Sequence, residues 1–124
     1  MPDVSVALSA LCNAGRARRL LSEEHLCVPD LVDGGVSEGL RLAVAEDRLA
    51  AAPARAALDT WCRLGVQRHP SHPLLGRAWE LEELDTVTAV CVALAEALDC
   101  SLVTGDRRIA AIEGLRCPVM VLAQ

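Results

Sequence analysis

Aromatic residues are nearly missing from this sequence: it has no tyrosine and no phenylalanine, and only two tryptophans. A large aromatic core is therefore excluded, and the interior must be built from alanine, leucine and valine. Apolar residues make up 52% of the 124 residues, which excludes a disordered chain. A chain of this length and composition can form a hydrophobic core without disulfides or bound metals. We expect a single domain over residues 1–124.

An excess of positive charge is also missing, because the net charge is −5 and all the basic residues are arginine. This excludes a generally basic surface for nucleic acid, but not a local arginine patch or a metal-bridged substrate. No CxxC pair and no cysteine–histidine cluster with zinc spacing is present. The six cysteines are therefore expected to be small core residues in a reducing cytosol.

A membrane-spanning segment and a secretory signal are not found either. The longest nearly apolar run, residues 87–98, contains Thr88 and Glu96 and is too short to cross a bilayer. The amino terminus lacks the pattern of a signal peptide. We therefore expect a cytoplasmic protein that makes no contact with a membrane.

What the sequence does contain is an alternation of short apolar runs with helical patterns. Strands are predicted at residues 25–29, 64–69, 101–104 and 119–122. Helices are predicted after the first strand, from Pro53, over residues 74–84 and 87–98, and from Arg107 to Ile112. This order is typical of an α/β fold with a parallel sheet.

The segment SLVTGDRR, residues 101–108, places an acid directly after a predicted strand. Ligands of open α/β sheets bind beyond the carboxyl ends of strands, where Asp106 and, at the chain start, Asp3 would lie. Carboxylates that converge there could hold Mg²⁺ or Mn²⁺. The alternative is structural: Asp106 caps the next helix, and Asp3 is a surface acid.

Several segments resemble one family, the PIN domains, and within it the VapC-type toxins of bacterial toxin–antitoxin pairs. VALAEALDCSLVTGDRR, residues 92–108, is similar to the carboxyl-terminal signature of that family. DVSV at 3–6, VPDLVDGGVSEGLR at 28–41 and RHPSHPLLGRAWEL at 68–81 resemble its earlier motifs. The resemblance covers nearly the whole chain.

The resemblance implies a three-layer fold, with a parallel sheet of four to five strands and helices on both faces. It also implies four acids that bind Mg²⁺ or Mn²⁺ and cleave RNA by metal-assisted hydrolysis. Asp3 matches the first acid, Asp106 the last, and Thr104 the hydroxyl residue of the TxD turn. By this resemblance Asp3 and Asp106 are metal ligands, and Thr104 belongs to the catalytic group.

Two positions depart from the family pattern. The family's glutamate falls on Gly35, and one of its aspartates falls on Thr88. A smaller ligand charge lowers cation affinity, so metal binding is expected to be weak or absent and cleavage impaired or lost. The neighbouring acids that are candidate substitutes are Asp33, Glu38 and Asp85.

Two arginines after the TxD turn, Arg107 and Arg108, are candidates for contact with RNA phosphate, as is the earlier cluster of Arg16, Arg18 and Arg19. The structural alternative is a solvated helix surface.

The first hypothesis is a VapC-like ribonuclease with an incomplete acidic site. The second is an interaction module without catalysis, a former toxin that forms a homodimer or binds an antitoxin-like protein. Whether the protein is an enzyme stays open from the sequence.

Overall fold

A computed structural model describes residues 1–12, 18–19 and 26–122 of the chain. Arg16 and the first residue of the strand predicted at 25–29, His25, lie outside these ranges. Helices and strands alternate as α1 (Val4–Cys12), β1 (Cys27–Pro29), α2 (Leu31–Ala45), α3 (Ala51–Arg63), β2 (Gln67–His69), α4 (Leu75–Glu80), α5 (Thr86–Ala97), β3 (Leu102–Thr104), α6 (Arg107–Ala110) and β4 (Val119–Val121). A short 3-10 turn, His72–Leu74, leads into α4.

The strands pair in parallel, which confirms the predicted α/β class. β1 pairs with β2, and β3 pairs with β4. The chain start runs beside β3: the Val103 amide donates to the Met1 carbonyl at 2.7 Å, and the Asp3 amide donates to the Val103 carbonyl at 2.9 Å. Pro2 lies between these two bonds as a parallel bridge partner of Val103, so its missing N–H is not needed there. The described residues thus form two separate two-stranded sheets and one isolated bridge, instead of one continuous sheet.

The helix α5 is the centre of the core. All residues from 89 to 95 are buried, as the apolar sequence of this segment predicts. The helix begins after Asp85, whose side chain accepts a hydrogen bond from the Thr88 amide. From the sequence either Asp85 or Thr86 could cap this helix; Asp85 does so, and the cap fixes the start of α5 beside the end of β3.

Two helices are shorter than their sequence pattern predicts. The helix expected over residues 74–84 ends at Glu80, since Leu81 leaves helical geometry with a ψ of 62° and is buried in the core. The segment from Arg107 forms a single turn, α6. Burial of one leucine has outweighed the helical preference of the acidic residues around it.

The cysteines only partly follow the expectation of core residues. Cys91 is buried, but Cys12 and Cys62 are exposed, and none of the cysteines, all of which lie in the described ranges, forms a disulfide. Cys12 and Cys62 lie in the last turns of α1 and α3, on faces turned to solvent. Among the described residues, none of the helices combines the length and apolar character that crossing a membrane requires.

Candidate acidic site at the end of β3

The turn after β3 holds Asp106 by local hydrogen bonds. Thr104 is fully buried, and its Oγ1 accepts from the Asp106 amide at 3.1 Å. The Asp106 carboxylate in turn accepts from the Arg108 amide at 2.9 Å and so caps α6. The capping geometry that was one of the two sequence alternatives is therefore present.

A cation from the same turn also binds this carboxylate. The Arg108 guanidinium donates from Nη2 to Oδ2 at 2.9 Å and from Nε to Oδ1 at 3.1 Å. This side-chain bond is the main cause, with the backbone bond from Arg108 second, of a lowered pKa for Asp106. Asp106 is thus ionised and already paired, although the Arg108 side chain is 90% exposed and the pair is open to competition from solvent ions.

Asp3 lies close to the same turn but is deeply buried, with 3% of its surface exposed. Its Oδ1 accepts from the Ser5 hydroxyl at 2.6 Å and from the Val6 amide at 3.1 Å, so it caps the start of α1. The Gly105 amide donates to the Ser5 hydroxyl at 3.0 Å. Ser5 therefore joins Asp3 to the residue that precedes Asp106, a connection that the sequence reasoning missed. The short D-x-S spacing at a helix start is the signal that could have suggested it.

A cavity of about 400 Å³ opens beside Asp106. It is lined by the predicted site residues Thr88, Asp85 and Asp106, by Arg108, and by Glu83, which the sequence reasoning did not single out. Asp3 and Gly35 are not among the residues that line it. The structure therefore brings four of the sequence candidates, Asp85, Thr88, Asp106 and Arg108, to one cavity, whereas Asp3 and Gly35 do not line it.

The candidate substitutes for the missing acids differ in their surroundings. Asp33 accepts from Trp61 Nε1 at 2.7 Å and from Arg68 Nε at 2.7 Å, so its carboxylate is held on another face of α2. Glu38 lines a separate surface cleft on α2. Asp85 is the only one of the three that reaches the Asp106 cavity, and there it caps α5 through the Thr88 amide at 3.3 Å.

The core beside these acids contains a thiol that stays protonated. Burial raises the pKa of Cys91 on α5, and the negative charges of Asp3 and then Asp85 raise it further. Cys91 is therefore a neutral group within electrostatic range of both carboxylates.

Gly35 makes close contact with its neighbours. A Cβ atom added to it would lie 2.7 Å from Cγ2 of Val4 and 3.5 Å from Cγ1 of Val87. The position thus carries no ligand atom and is surrounded by apolar side chains.

Within the described ranges, no three side chains among histidine, cysteine, aspartate and glutamate are grouped so that they could hold one metal ion. Two of the acids that line the Asp106 cavity already make other bonds: Asp106 with Arg108, and Asp85 with the Thr88 amide. The described residues therefore do not fit a carboxylate-bound Mg²⁺ or Mn²⁺ in this conformation.

Arg107, the other predicted contact for RNA phosphate, has an exposed position beside Arg108.

Comparisons with known proteins match the chain over almost its full length. A sequence model of the PIN domain matches residues 1–115. A VapC ribonuclease of Mycobacterium bovis is 48% identical over 121 residues, which is 97% of this chain and 95% of the relative. Ribonuclease VapC9 of Mycobacterium tuberculosis gives the same values. Ribonuclease VapC1 of Mycobacterium tuberculosis is 39% identical over 126 residues, again 97% of this chain and 95% of the relative.

Proposed function

The chain belongs to the PIN-domain family and to its VapC-type branch, and we propose that it is a toxin-derived protein in which metal-dependent RNA cleavage is weak or lost. The relatives named above are ribonucleases, and an RNA substrate for this chain is inferred from them. In this proposal the protein acts in the cytoplasm, and a Mg²⁺ or Mn²⁺ ion binds weakly or not at all.

One observation carries the proposal. By the family resemblance two acid positions fall on Gly35, where an added Cβ would meet Val4, and on Thr88, which lines the Asp106 cavity with a neutral hydroxyl. Metal-assisted hydrolysis depends on several carboxylates around the ions, because their negative charge sets cation affinity. Two family acids remain by this resemblance, and both are already bonded: Asp3 to the Ser5 hydroxyl and the Val6 amide, and Asp106 to Arg108.

The chain's own residues still offer a means of binding RNA without cleaving it. Arg107 and Arg108 lie on the surface beside the cavity, and guanidinium groups bind phosphate in a bidentate way. A phosphate that approached Arg108 would compete with the Asp106 carboxylate for the same donors. Binding of this kind would weaken with increasing salt.

Titration of the purified protein with Mn²⁺ by calorimetry, beside an RNA cleavage assay, tests the proposal. We expect no binding at millimolar Mn²⁺ and no cleavage above background, either in the wild type or in Asp106→Asn. The matched control is Asp99→Asn, an exposed aspartate with a φ of 53°, a conformation that asparagine also tolerates. Mn²⁺ binding and cleavage that Asp106→Asn abolishes and Asp99→Asn leaves intact would show an active ribonuclease and overturn the proposal.

A second function, binding of an antitoxin-like protein, is favoured by an apolar cleft between α2 and α3. The cleft has a volume of about 370 Å³, and Leu40, Val44 and Leu58 are among the side chains that line it. Arg41 and Arg55 also line it; because Arg55 is paired with Asp59 at 3.1 Å, the positive charge beside the apolar floor comes mainly from Arg41. These features fit an amphipathic segment that has apolar residues on one face and acidic residues beside them. We propose an antitoxin segment of that chemistry as the occupant.

A charge placed in this cleft tests the partner hypothesis. Ala51→Glu puts a negative charge on its lining, and we expect the affinity for a purified, co-encoded antitoxin to fall at least about tenfold. The matched control is Ala52→Glu, one residue further in the same exposed first turn of α3 but not on the lining. Equal affinity for both variants would show that the antitoxin binds elsewhere.

The homodimer stays a prediction from the sequence. Sedimentation of the purified protein over a range of concentrations would test it.

A further inference from the structure

Gly35 lies in a part of α2 that packs against α1, and its neighbour one turn later is also a glycine. A Cβ atom at Gly35 would lie 2.7 Å from Cγ2 of Val4, and one at Gly39 would overlap Cδ1 of Leu8. Val4 and Leu8 are likewise one turn apart on α1. Two side chains of α1 thus fit onto two glycines of α2, which lets the helices approach closely.

The side chain of Val4 cannot easily move away from this contact. Valine is branched at Cβ and has few rotamers in a helix, unlike a long side chain whose end can turn aside. Val4 also follows Asp3, whose carboxylate is fixed by Ser5 and the Val6 amide at the start of α1. A Cβ at position 35 would also lie 3.5 Å from Cγ1 of Val87, so a new side chain meets apolar atoms there too.

We propose that Val4 fills the space into which an acidic side chain at position 35 would have to extend from α2. This inference rests on the proposed function but goes beyond it, because it concerns the packing of α1 against α2 and not only the missing ligand. Replacing Gly35 and Thr88 by acids would then not restore a metal site. The acid position is closed by apolar packing, and Val4 must be reduced before it can open.

The steric part of the proposal is tested by thermal unfolding of alanine variants. Gly34 is the matched control, since it lies in the same helix without a positive φ and a Cβ there would meet no atom within 4 Å. Gly34→Ala should raise the midpoint of unfolding because alanine favours helix. Gly35→Ala should lie at least about 5 °C below Gly34→Ala, because the same gain is offset by the contact with Val4.

Removing the obstacle should remove this difference. In a Val4→Ala background, we expect Gly35→Ala and Gly34→Ala to unfold within about 2 °C of each other. If the two variants already have equal midpoints with Val4 present, or if the difference persists without it, Val4 is not the obstacle and the inference is overturned.

The chemical part is tested by Mn²⁺ calorimetry on two rebuilt proteins. Gly35→Glu with Thr88→Asp should bind no Mn²⁺ at millimolar concentration, whereas the same pair combined with Val4→Ala should bind it at least about tenfold more tightly. Equal affinities of the two proteins, including no binding by either, would contradict the inference. Mn²⁺ binding by the wild type would instead contradict the proposed function and would leave the unfolding comparison to decide on Val4.

Discussion

At the scale of single residues, the Ser5 hydroxyl joins two parts of the chain that are 100 positions apart. It donates to the buried Asp3 carboxylate and accepts from the Gly105 amide, so one small side chain satisfies both groups. A buried carboxylate that loses one of its donors is destabilised, because the Val6 amide that remains satisfies Asp3 only in part. Although Ser5 is itself exposed, it is therefore expected to contribute more to stability than an exposed serine that makes no such bonds.

Substitution of this residue gives a direct test. Ser5→Ala should lower the free energy of unfolding by about 1–2 kcal/mol, because Asp3 loses a donor and Gly105 loses an acceptor. Urea unfolding measures the change, with Ser37→Ala on α2 as the control, for which we expect less than about 0.5 kcal/mol. Similar losses for both variants would show that the bridge through Ser5 adds nothing.

The residues of the candidate site could be predicted only in part from the sequence. The position of Asp106 after a strand is a matter of chain order, and the short turn places it there. The ion pair with Arg108 and the separation of Asp3 from the Asp106 cavity depend on rotamers and on packing between distant segments. The sequence contains no local signal for either.

At the scale of elements, the predicted bounds of helices and strands agree best with the structure where the local sequence pattern is strongest. The helix α5 begins and ends within one residue of the predicted range, because an N-cap precedes a long apolar run. The short helix α4 ends four residues early, at Glu80, since the burial of Leu81 is decided by the tertiary structure. The alternation predicts parallel strands, but strands of three residues carry too little pattern to define one sheet or its order.

At the scale of the whole molecule, a network around Glu96 ties the carboxyl-terminal segment to the helices. Arg77 of α4 donates to both carboxylate oxygens of Glu96 at 2.8 Å and 3.0 Å, and the Arg116 amide donates at 2.7 Å. Arg77 also donates to the Gly114 carbonyl at 2.8 Å. The Glu96 side chain is only 8% exposed, so these bonds are little weakened by solvent.

This network makes stability depend on pH. The side-chain bond from Arg77, followed by the Arg116 amide, lowers the pKa of Glu96 below its ordinary value of 4.5. The ionised form is therefore favoured by folding, and its contribution is complete above about pH 4.5 and is lost as the pH falls through the lowered folded pKa. Glu96→Gln should reduce the free energy of unfolding at pH 7 by about 2 kcal/mol.

Urea unfolding at pH 7 and at pH 3 measures this effect. The difference between wild type and Glu96→Gln should shrink at the lower pH, because below about pH 4.5 the unfolded chain takes up a proton at Glu96 more readily than the folded protein does. Glu82→Gln, an exposed acid after α4, is the control and should match the wild type at pH 7. A Glu96→Gln difference that is unchanged between the two pH values would contradict the role assigned to the charge.

The two tryptophans, finally, give the protein a pair of built-in optical reporters. Trp61 is 1% exposed and donates to Asp33 beneath the Arg68 guanidinium, whereas Trp79 on α4 is 84% exposed. The chain has no tyrosine, so its ultraviolet emission comes from these two indoles alone. In a Trp79→Leu background, a red shift in emission would signal solvent entry into the interior at Trp61, and a single wavelength would follow unfolding without any attached dye.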